Sequence, residues 1–229
     1  MKLSILMPVF NEQATLQAAL DRVLAVRYPV DMELIVVDDG STDGTAKILA
    51  DQTDPRIALR PHQSNAGKGA AIRTAAAAAT GDYLIMCDAD LEYAPEEIPG
   101  LLVPVLFGDA VVVYGTRSFG SHNAYSFWYV IGNKGVTLAA NLLFNAYISD
   151  LETCFKLLPT ELYRELAIVS TGFGMEAELT AKLLRRGYRP YEVPISYRAR
   201  SREDGKKLTW KDGVEALWIL TRIRAGARH

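Results

Sequence analysis

The sequence predicts an α/β protein with a mostly parallel central sheet flanked by helices and a small antiparallel extension. Three observations carry this. First, short apolar runs rich in β-branched residues alternate with segments of helical periodicity up to Arg117, the pattern of parallel strands joined by right-handed crossovers. Second, two of those runs end in acidic pairs, Asp38/Asp39 and Asp88/Asp90, where an open parallel sheet places its ligands. Third, 229 residues with 49% hydrophobic and 23% charged content suit one soluble globular domain with a substantial core.

Element by element, residues 3–10 (LSILMPVF) read as a buried strand, and 12–26 as a helix with Leu16, Leu20, Val23 and Leu24 on one face. Residues 32–39 (MELIVVDD) are a second strand, stopped by the aspartates and Gly40. A helix capped by Ser41 or Thr42 is expected over 41–52. A short strand near 57–59, a glycine-containing loop and an Ala-rich helix ending at Gly81 follow. Residues 82–88 are the next strand, 95–107 a helix with Pro95 in its first turn, and 110–117 another strand. Beyond Arg117 the pattern changes. A long helix is expected over 124–147, an antiparallel strand over 150–158, a helix over 175–186, a strand pair at 188–193 and 195–198, and an amphipathic helix over 209–225. The chain is read as a single domain over 1–229, with residues 1–117 as its first half and 118–229, which ends in a basic amphipathic segment, as its second.

Composition narrows the function. Cys87 and Cys154 are far apart and fit no zinc or redox spacing, so both are expected as reduced core residues, consistent with the cytoplasm. His62, His122 and His229 form no metal set. The N-terminal apolar run is interrupted by Pro8, Asn11 and Glu12 and does not read as a signal peptide, and no stretch reaches the roughly 18 apolar residues of a spanning helix. Net charge is −2 and uneven: residues 1–181 carry 12 basic against 22 acidic side chains, residues 182–229 carry 13 against 5. The basic end fits an anionic partner and equally a solvated tail. Nucleic acid is not expected as a partner.

The stretch MCDADLEY (86–93) concentrates the chemistry. Asp88, Asp90 and Glu92 crowd three carboxylates at a strand end, where like charges repel unless they are solvated, protonated or bound to a cation. Mg²⁺ and Mn²⁺ prefer carboxylate, water and phosphate oxygens, so the set suits an ion that also holds a diphosphate. A solvated acidic turn is the competing reading.

A series of motifs tips that balance. MPVFNE (7–12), VVDDGSTDGT (36–45), NAGKGAA (65–71), DADLEY (88–93), YGTRSF (114–119), DLETCFKLL (150–158) and LLRRGYRPYEVPISYRAR (183–200) occur in order over most of the chain. Together they resemble family 2 glycosyltransferases of the Rossmann-like GT-A fold, in the branch of dolichyl-phosphate mannose synthases and other polyprenyl-phosphate sugar transferases. The resemblance implies a metal-dependent inverting transferase that moves a hexose from a GDP- or UDP-linked donor to a polyprenyl phosphate, with Mg²⁺ or Mn²⁺ as cofactor. Mannose is the first expectation, glucose or an N-acetylhexosamine the second.

Carried over by position, the resemblance places Pro8, Phe10 and Glu12 beside the nucleoside and Asp38 and Asp39 at base and ribose. Asp88, Asp90 and Glu92 fall at the metal, Ala89 near the ribose, Lys68 beneath the nucleotide and Arg117 at the phosphates. Arg202 and Lys207 fall in a segment that closes over the phosphates of donor and acceptor, although this chain reads Gly-Lys-Lys-Leu at 205–208 where many relatives read Gly-x-Ser-Lys-Leu. Lys134, Arg198, Arg200 and Lys206 are further cation candidates. Asp150 is read as a base or sugar-orienting group, and Glu176 or Glu178 as an alternative base or a helix-packing residue. A phosphate acceptor is already anionic at neutral pH and needs cations rather than a base, whereas a hydroxyl acceptor needs a base. Trp and basic residues in 209–225 suit either packing or a membrane interface, so the expected location is cytoplasmic with peripheral contact at the inner membrane face. A hydroxyl acceptor and a non-catalytic nucleotide-sugar-binding subunit are the rival readings. A sugar-1-phosphate nucleotidyltransferase lacks support because PVFNEQAT stands where its glycine-rich loop belongs. In a haloacid-dehalogenase-type phosphatase the Asp-x-Asp would sit on the first strand.

Overall fold

The structure is a computed structural model that describes residues 1–121, 127–199 and 210–226. One seven-stranded sheet organises it, in the order β3-β2-β1-β4-β6-β5-β7. The strands are β1 (Lys2–Val9), β2 (Asp31–Asp38), β3 (Ile57–Pro61), β4 (Tyr83–Met86), β5 (Val113–Thr116), β6 (Lys156–Pro159) and β7 (Tyr191–Pro194). β1 runs parallel to β2 and β4, β2 to β3, and β5 to β7. β6 is antiparallel to both of its neighbours. The expected antiparallel extension is therefore one reversed strand wedged between β4 and β5.

The helices are α1 (Leu16–Ala25), α2 (Thr45–Ala50), α3 (Lys68–Ala78), α4 (Ile98–Leu106), α5 (Phe127–Phe144), α6 (Thr160–Leu166), α7 (Gly174–Arg185) and α8 (Trp210–Arg224). Central strands covered on both faces read as continuous apolar runs, as in Leu3, Ile5, Leu6 and Met7 of β1 and Leu34–Val37 of β2, all fully buried. Pro8 has no N–H to contribute. It lies beyond Leu6, the last β1 residue paired to β4, so the ladder loses nothing there. A second, smaller core joins α5, α7 and α8 through Val136, Ala140, Phe144, Ala181, Ile219 and Ile223. α7 lies between the two cores, which is why ten of its twelve residues are buried.

Several expectations are corrected. α2 begins at Thr45, not near Ser41, and neither Ser41 nor Thr42 caps it. Ser41 Oγ accepts from Asn11 N and Thr42 N donates to Asn11 Oδ1, so both tie the turn after β1 to the turn after β2. The Asp43 carboxylate takes the Thr45 N–H instead. β6 starts only at Lys156, because Asp150–Thr153 form a turn whose Leu151 and Thr153 carbonyls accept from the buried Lys156 ammonium. α6 had no counterpart in the sequence reading. The second strand of the expected pair reduces to an isolated bridge between Tyr93 and Tyr197. Cys87 and Cys154 are buried and unpaired. No helix among the described residues is long and apolar enough to cross a membrane.

Candidate active site

The strand order locates the site. From β1 the chain builds outward through β2 to β3, then α3 returns it to the other side of β1 as β4. The order thus reverses at β1, and crevices beyond strand ends at such a point bind ligands. A cavity of about 300 Å³ lies there. It is lined by Pro8, Val9, Phe10 and Glu12 after β1, Asp39 after β2, and Asp88, Ala89 and Asp90 after β4. Asn65, Gly67, Lys68 and Ala71 come from the α3 entrance, and Gly172 and Phe173 from the loop before α7.

Asp39 is almost fully buried and shapes the α3 entrance. Its Oδ1 accepts from Ala66 N at 3.0 Å and lies 2.6 Å from His62 Nδ1, and its Oδ2 accepts from Gly67 N at 2.8 Å. His62 in turn meets Thr74 Oγ1 at 2.8 Å. Asp38 plays another part: its carboxylate accepts from Ser41 N at 3.0 Å, and it is not among the cavity's lining residues. Glu12 lines the cavity with its Oε2 accepting from the Thr15 hydroxyl at 2.9 Å.

The glycines around Lys68 serve close approach. A Cβ on Gly67 would meet the Thr171 carbonyl oxygen at 2.4 Å, and one on Gly69 the Ser170 oxygen at 2.2 Å. Gly67 also has φ +96°, which side-chain-bearing residues rarely adopt. The G-K-G segment and loop 170–173 therefore lie backbone against backbone, with Ala70 N donating to Thr171 O. Buried Glu178 fixes the far side of that loop, accepting from Val169 N and Ser170 N and pairing with Lys182 at 2.6 Å.

Lys68 Nζ lies 2.8 Å from Asp88 Oδ2 and 3.0 Å from Glu176 Oε1. Burial lowers its pKa, but Asp88 and Glu176 raise it further and hold it well above the ordinary lysine value. Asp90 Oδ1 accepts from Glu92 N at 3.0 Å across a turn in which Leu91 has φ +61°. A left-handed leucine costs on the order of 1 kcal/mol. It swings the chain so that Asp88 and Asp90 border the cavity while Glu92 turns away.

Glu92, the third residue of the expected metal set, does not line the cavity. Its Oε2 accepts from the Tyr197 hydroxyl at 2.7 Å, its backbone O accepts from Arg198 N, and no group of three His, Cys, Asp or Glu converges among the described residues. Asp88 and Asp90 remain, and they fit a hard divalent ion, which commonly takes one or two carboxylates and completes its shell with water and substrate phosphate.

Arg117 and Asp150 also lie outside the cavity lining. They form a bidentate pair, Nε–Oδ2 at 2.6 Å and Nη2–Oδ1 at 2.7 Å, with Arg117 N donating to the same carboxylate at 3.1 Å. Burial raises Asp150, but the guanidinium overrides it and holds the carboxyl below the usual range. The Arg117 guanidinium rests 4.9 Å from the Tyr197 ring centre. Burial and the Glu176 charge push Glu152 up to about 7. Arg202 and Lys207, with Arg200 and Lys206, lie outside the described residues. The sequence reading gave no site role to Val9, Asn65, Ala71, Gly172 or Phe173 in the lining, and missed the role of His62. The one available signal was the pair of glycines flanking Phe173, directly before α7.

Comparison with known proteins gives this geometry its family. The chain is 30% identical over 207 residues to the low-salt glycan biosynthesis hexosyltransferase Agl6 of Haloferax volcanii, covering 88% of this chain and 49% of that protein. It is 40% identical over 121 residues to the undecaprenyl-phosphate 4-deoxy-4-formamido-L-arabinose transferase of Photorhabdus laumondii, covering 51% of this chain and 37% of that one. The chain thus spans about half the length of the first relative and less of the second. Among solved structures, Mycobacterium tuberculosis glucosyl-3-phosphoglycerate synthase in complex with Mn²⁺, UDP and glucosyl-3-phosphoglycerate superposes with TM-score 0.68 at 21% identity, covering all of this chain and 81% of that one, a likeness of fold. The family profile described as glycosyl transferase family 2 matches residues 4–167, which carry most of β1, all of β2 through β6 and every lining residue except Gly172 and Phe173, and the chain therefore belongs to that family.

Proposed function

We propose that this protein is an inverting hexosyltransferase that uses a GDP- or UDP-linked sugar donor and a polyprenyl phosphate acceptor. The observation that carries the reading is the cavity at the β1 switch point, lined together by Glu12, Asp39, Lys68, Asp88 and Asp90. Carboxylates there accept hydrogen bonds from base and ribose, and Lys68 adds positive charge beneath the donor. Asp88 and Asp90 would hold Mg²⁺ or Mn²⁺. When bound, such an ion supplies positive charge to the departing diphosphate. The name of the undecaprenyl-phosphate relative supports a lipid-phosphate acceptor, and the Mn²⁺ and UDP in the solved relative's complex support a metal and a nucleotide.

The three base candidates favour the same acceptor. Asp150 is paired with Arg117, Glu176 with Lys68 and Glu178 with Lys182. A phosphate monoester needs none of them. Its oxygen attacks C1 of the sugar from the face opposite the nucleotide, the C1–O bond to the diphosphate breaks, and the electron pair leaves on the diphosphate. Holding two anions in line is then the protein's task, with Arg202 and Lys207 as the proposed phosphate contacts.

The test is a donor screen with purified protein, Mn²⁺ or Mg²⁺ and a short polyprenyl phosphate, reading glycolipid by mass. One donor is expected to give product, and Asp90→Asn to lower the rate by about 100-fold or more, as loss of transition-state charge stabilisation does. Tight nucleotide-sugar binding with no transfer from any donor would overturn the lipid-phosphate reading.

A further inference from the structure

Lys68 occupies a position that the proposed metal reading does not explain. Its ammonium holds Asp88 Oδ2 at 2.8 Å, on one of the carboxylates proposed for the ion. An ammonium and a divalent cation on the same carboxylate repel each other strongly in a site this shielded: the Lys68 and Asp88 side chains are 16% and 18% exposed. Something must relieve that conflict when the ion arrives.

Glu176 supplies the means. It projects from the first turn of α7, its side chain is 4% exposed, and its Oε1 already lies 3.0 Å from Lys68 Nζ. Its other oxygen, Oε2, is buried with no hydrogen-bond partner. Buried carboxylate oxygens are rarely left so, because a missing bond costs the full desolvation of the group. Lysine carries three N–H donors, so an ammonium moving a short way off Asp88 meets a carboxylate with an acceptor to spare.

We propose that Lys68 is a resident counter-cation that holds Asp88 until a divalent ion binds and then transfers to Glu176, making Glu176 a positioning residue for the metal site. The charge count supports the exchange. Without the ion, one ammonium is shared between two carboxylates. With it, Asp88 and Asp90 balance the divalent ion while Lys68 and Glu176 balance each other. The construction also explains why a residue of the α3 entrance touches both the β4 strand end and α7: the loop-on-loop packing of Gly67 and Gly69 fixes the stem while the ammonium swings.

This inference rests on the metal reading, and the experiment separates the two. Mn²⁺ affinity is measured without nucleotide from the electron paramagnetic resonance signal of free Mn²⁺, on the full chain and on Glu176→Gln, Lys68→Met and the double variant. Glu176→Gln is expected to weaken Mn²⁺ binding about tenfold, because Lys68 then clings to Asp88, and Lys68→Met to tighten it by a similar factor. The double variant is expected to bind as Lys68→Met does, within about twofold, because Glu176 acts only through Lys68. An equal loss from Glu176→Gln in both backgrounds would make Glu176 a mere remote charge and overturn the proposal. If Lys68→Met lacks a cooperative thermal transition, Lys68→Gln takes its place in the same cycle. No Mn²⁺ binding by any variant, with or without UDP, or binding unaffected by Asp90→Asn, overturns the metal reading and this inference with it.

Discussion

At the scale of single residues, the site contains charges whose partners decide their roles. Asp150 reads from the sequence as a base, yet its carboxylate is filled by three donors from Arg117 and held below the ordinary range. Asp150→Asn leaves a buried guanidinium half-paired and is expected to lower stability by about 3–5 kcal/mol, the usual result of removing one member of a buried pair. Urea unfolding checks this. A variant with unchanged stability and no transfer would instead restore the catalytic role. Glu33 gives a pH prediction. Burial pushes its pKa up, but bonds from Lys2, Ser4 and Thr80 outweigh burial and hold it at about 2. A depressed carboxylate contributes fully above its unfolded value near 4.5 and loses that contribution as pH falls through 2. Unfolding free energy between pH 6 and pH 3 is therefore expected to fall less steeply in Glu33→Gln than in the parent chain.

At the scale of elements, the α3 entrance makes the sharpest prediction. Gly69→Ala drives a Cβ into the Ser170 carbonyl, a clash with backbone that no rotamer relieves. Loop 170–173 must retreat, taking Phe173 away from the cavity wall. Nucleotide affinity, read by calorimetry, is expected to fall about tenfold or more, while Gly100→Ala, where a Cβ meets nothing within 4 Å, leaves it unchanged. The same elements show what the sequence makes legible. β1, β2 and β4 announce themselves because strands covered on both faces must be apolar throughout, and the aspartates ending β2 and β4 mark the ligand side. α6 is seven residues long and follows β6 without a loop, so neither periodicity nor a turn signal separates it. The partnership of Arg117 with Asp150 spans 33 residues and depends on β6 running against its neighbours, which no local pattern encodes. Glu92 sits in the right motif, but the left-handed Leu91 redirects it. A left-handed backbone at a leucine leaves no compositional trace, unlike one at the asparagines, aspartates and histidines enriched there.

At the scale of the whole molecule, the helices of the second core carry large apolar side chains on their outward faces. α5 buries Val136, Ala140 and Phe144, yet exposes Phe127, Trp128, Ile131, Leu138 and Leu142, with Trp128 78% and Leu142 75% exposed. Ile131, Leu138 and Leu142 recur at spacings that hold one side of a helix. α8 likewise buries Ile219, Leu220 and Ile223 while exposing Val214, Leu217 and Trp218, and Arg222 stacks 4.9 Å from the Trp218 ring. α8 belongs to the segment that carries the basic excess, 13 basic against 5 acidic residues from 182 onward. Exposed aromatics beside cations suit the interface of an anionic bilayer, where a polyprenyl phosphate resides. The protein is therefore expected to float with vesicles containing anionic phospholipid and to float less with purely zwitterionic ones. Trp128→Glu combined with Leu138→Glu is expected to reduce flotation several-fold without shifting the thermal midpoint, because neither side chain is buried. Raising salt from 0.05 to 0.5 M separates the contributions, since screening weakens attraction between the basic segment and lipid headgroups but leaves the apolar contact intact. Flotation that ignores both the double substitution and the lipid charge would place the exposed faces against another protein instead.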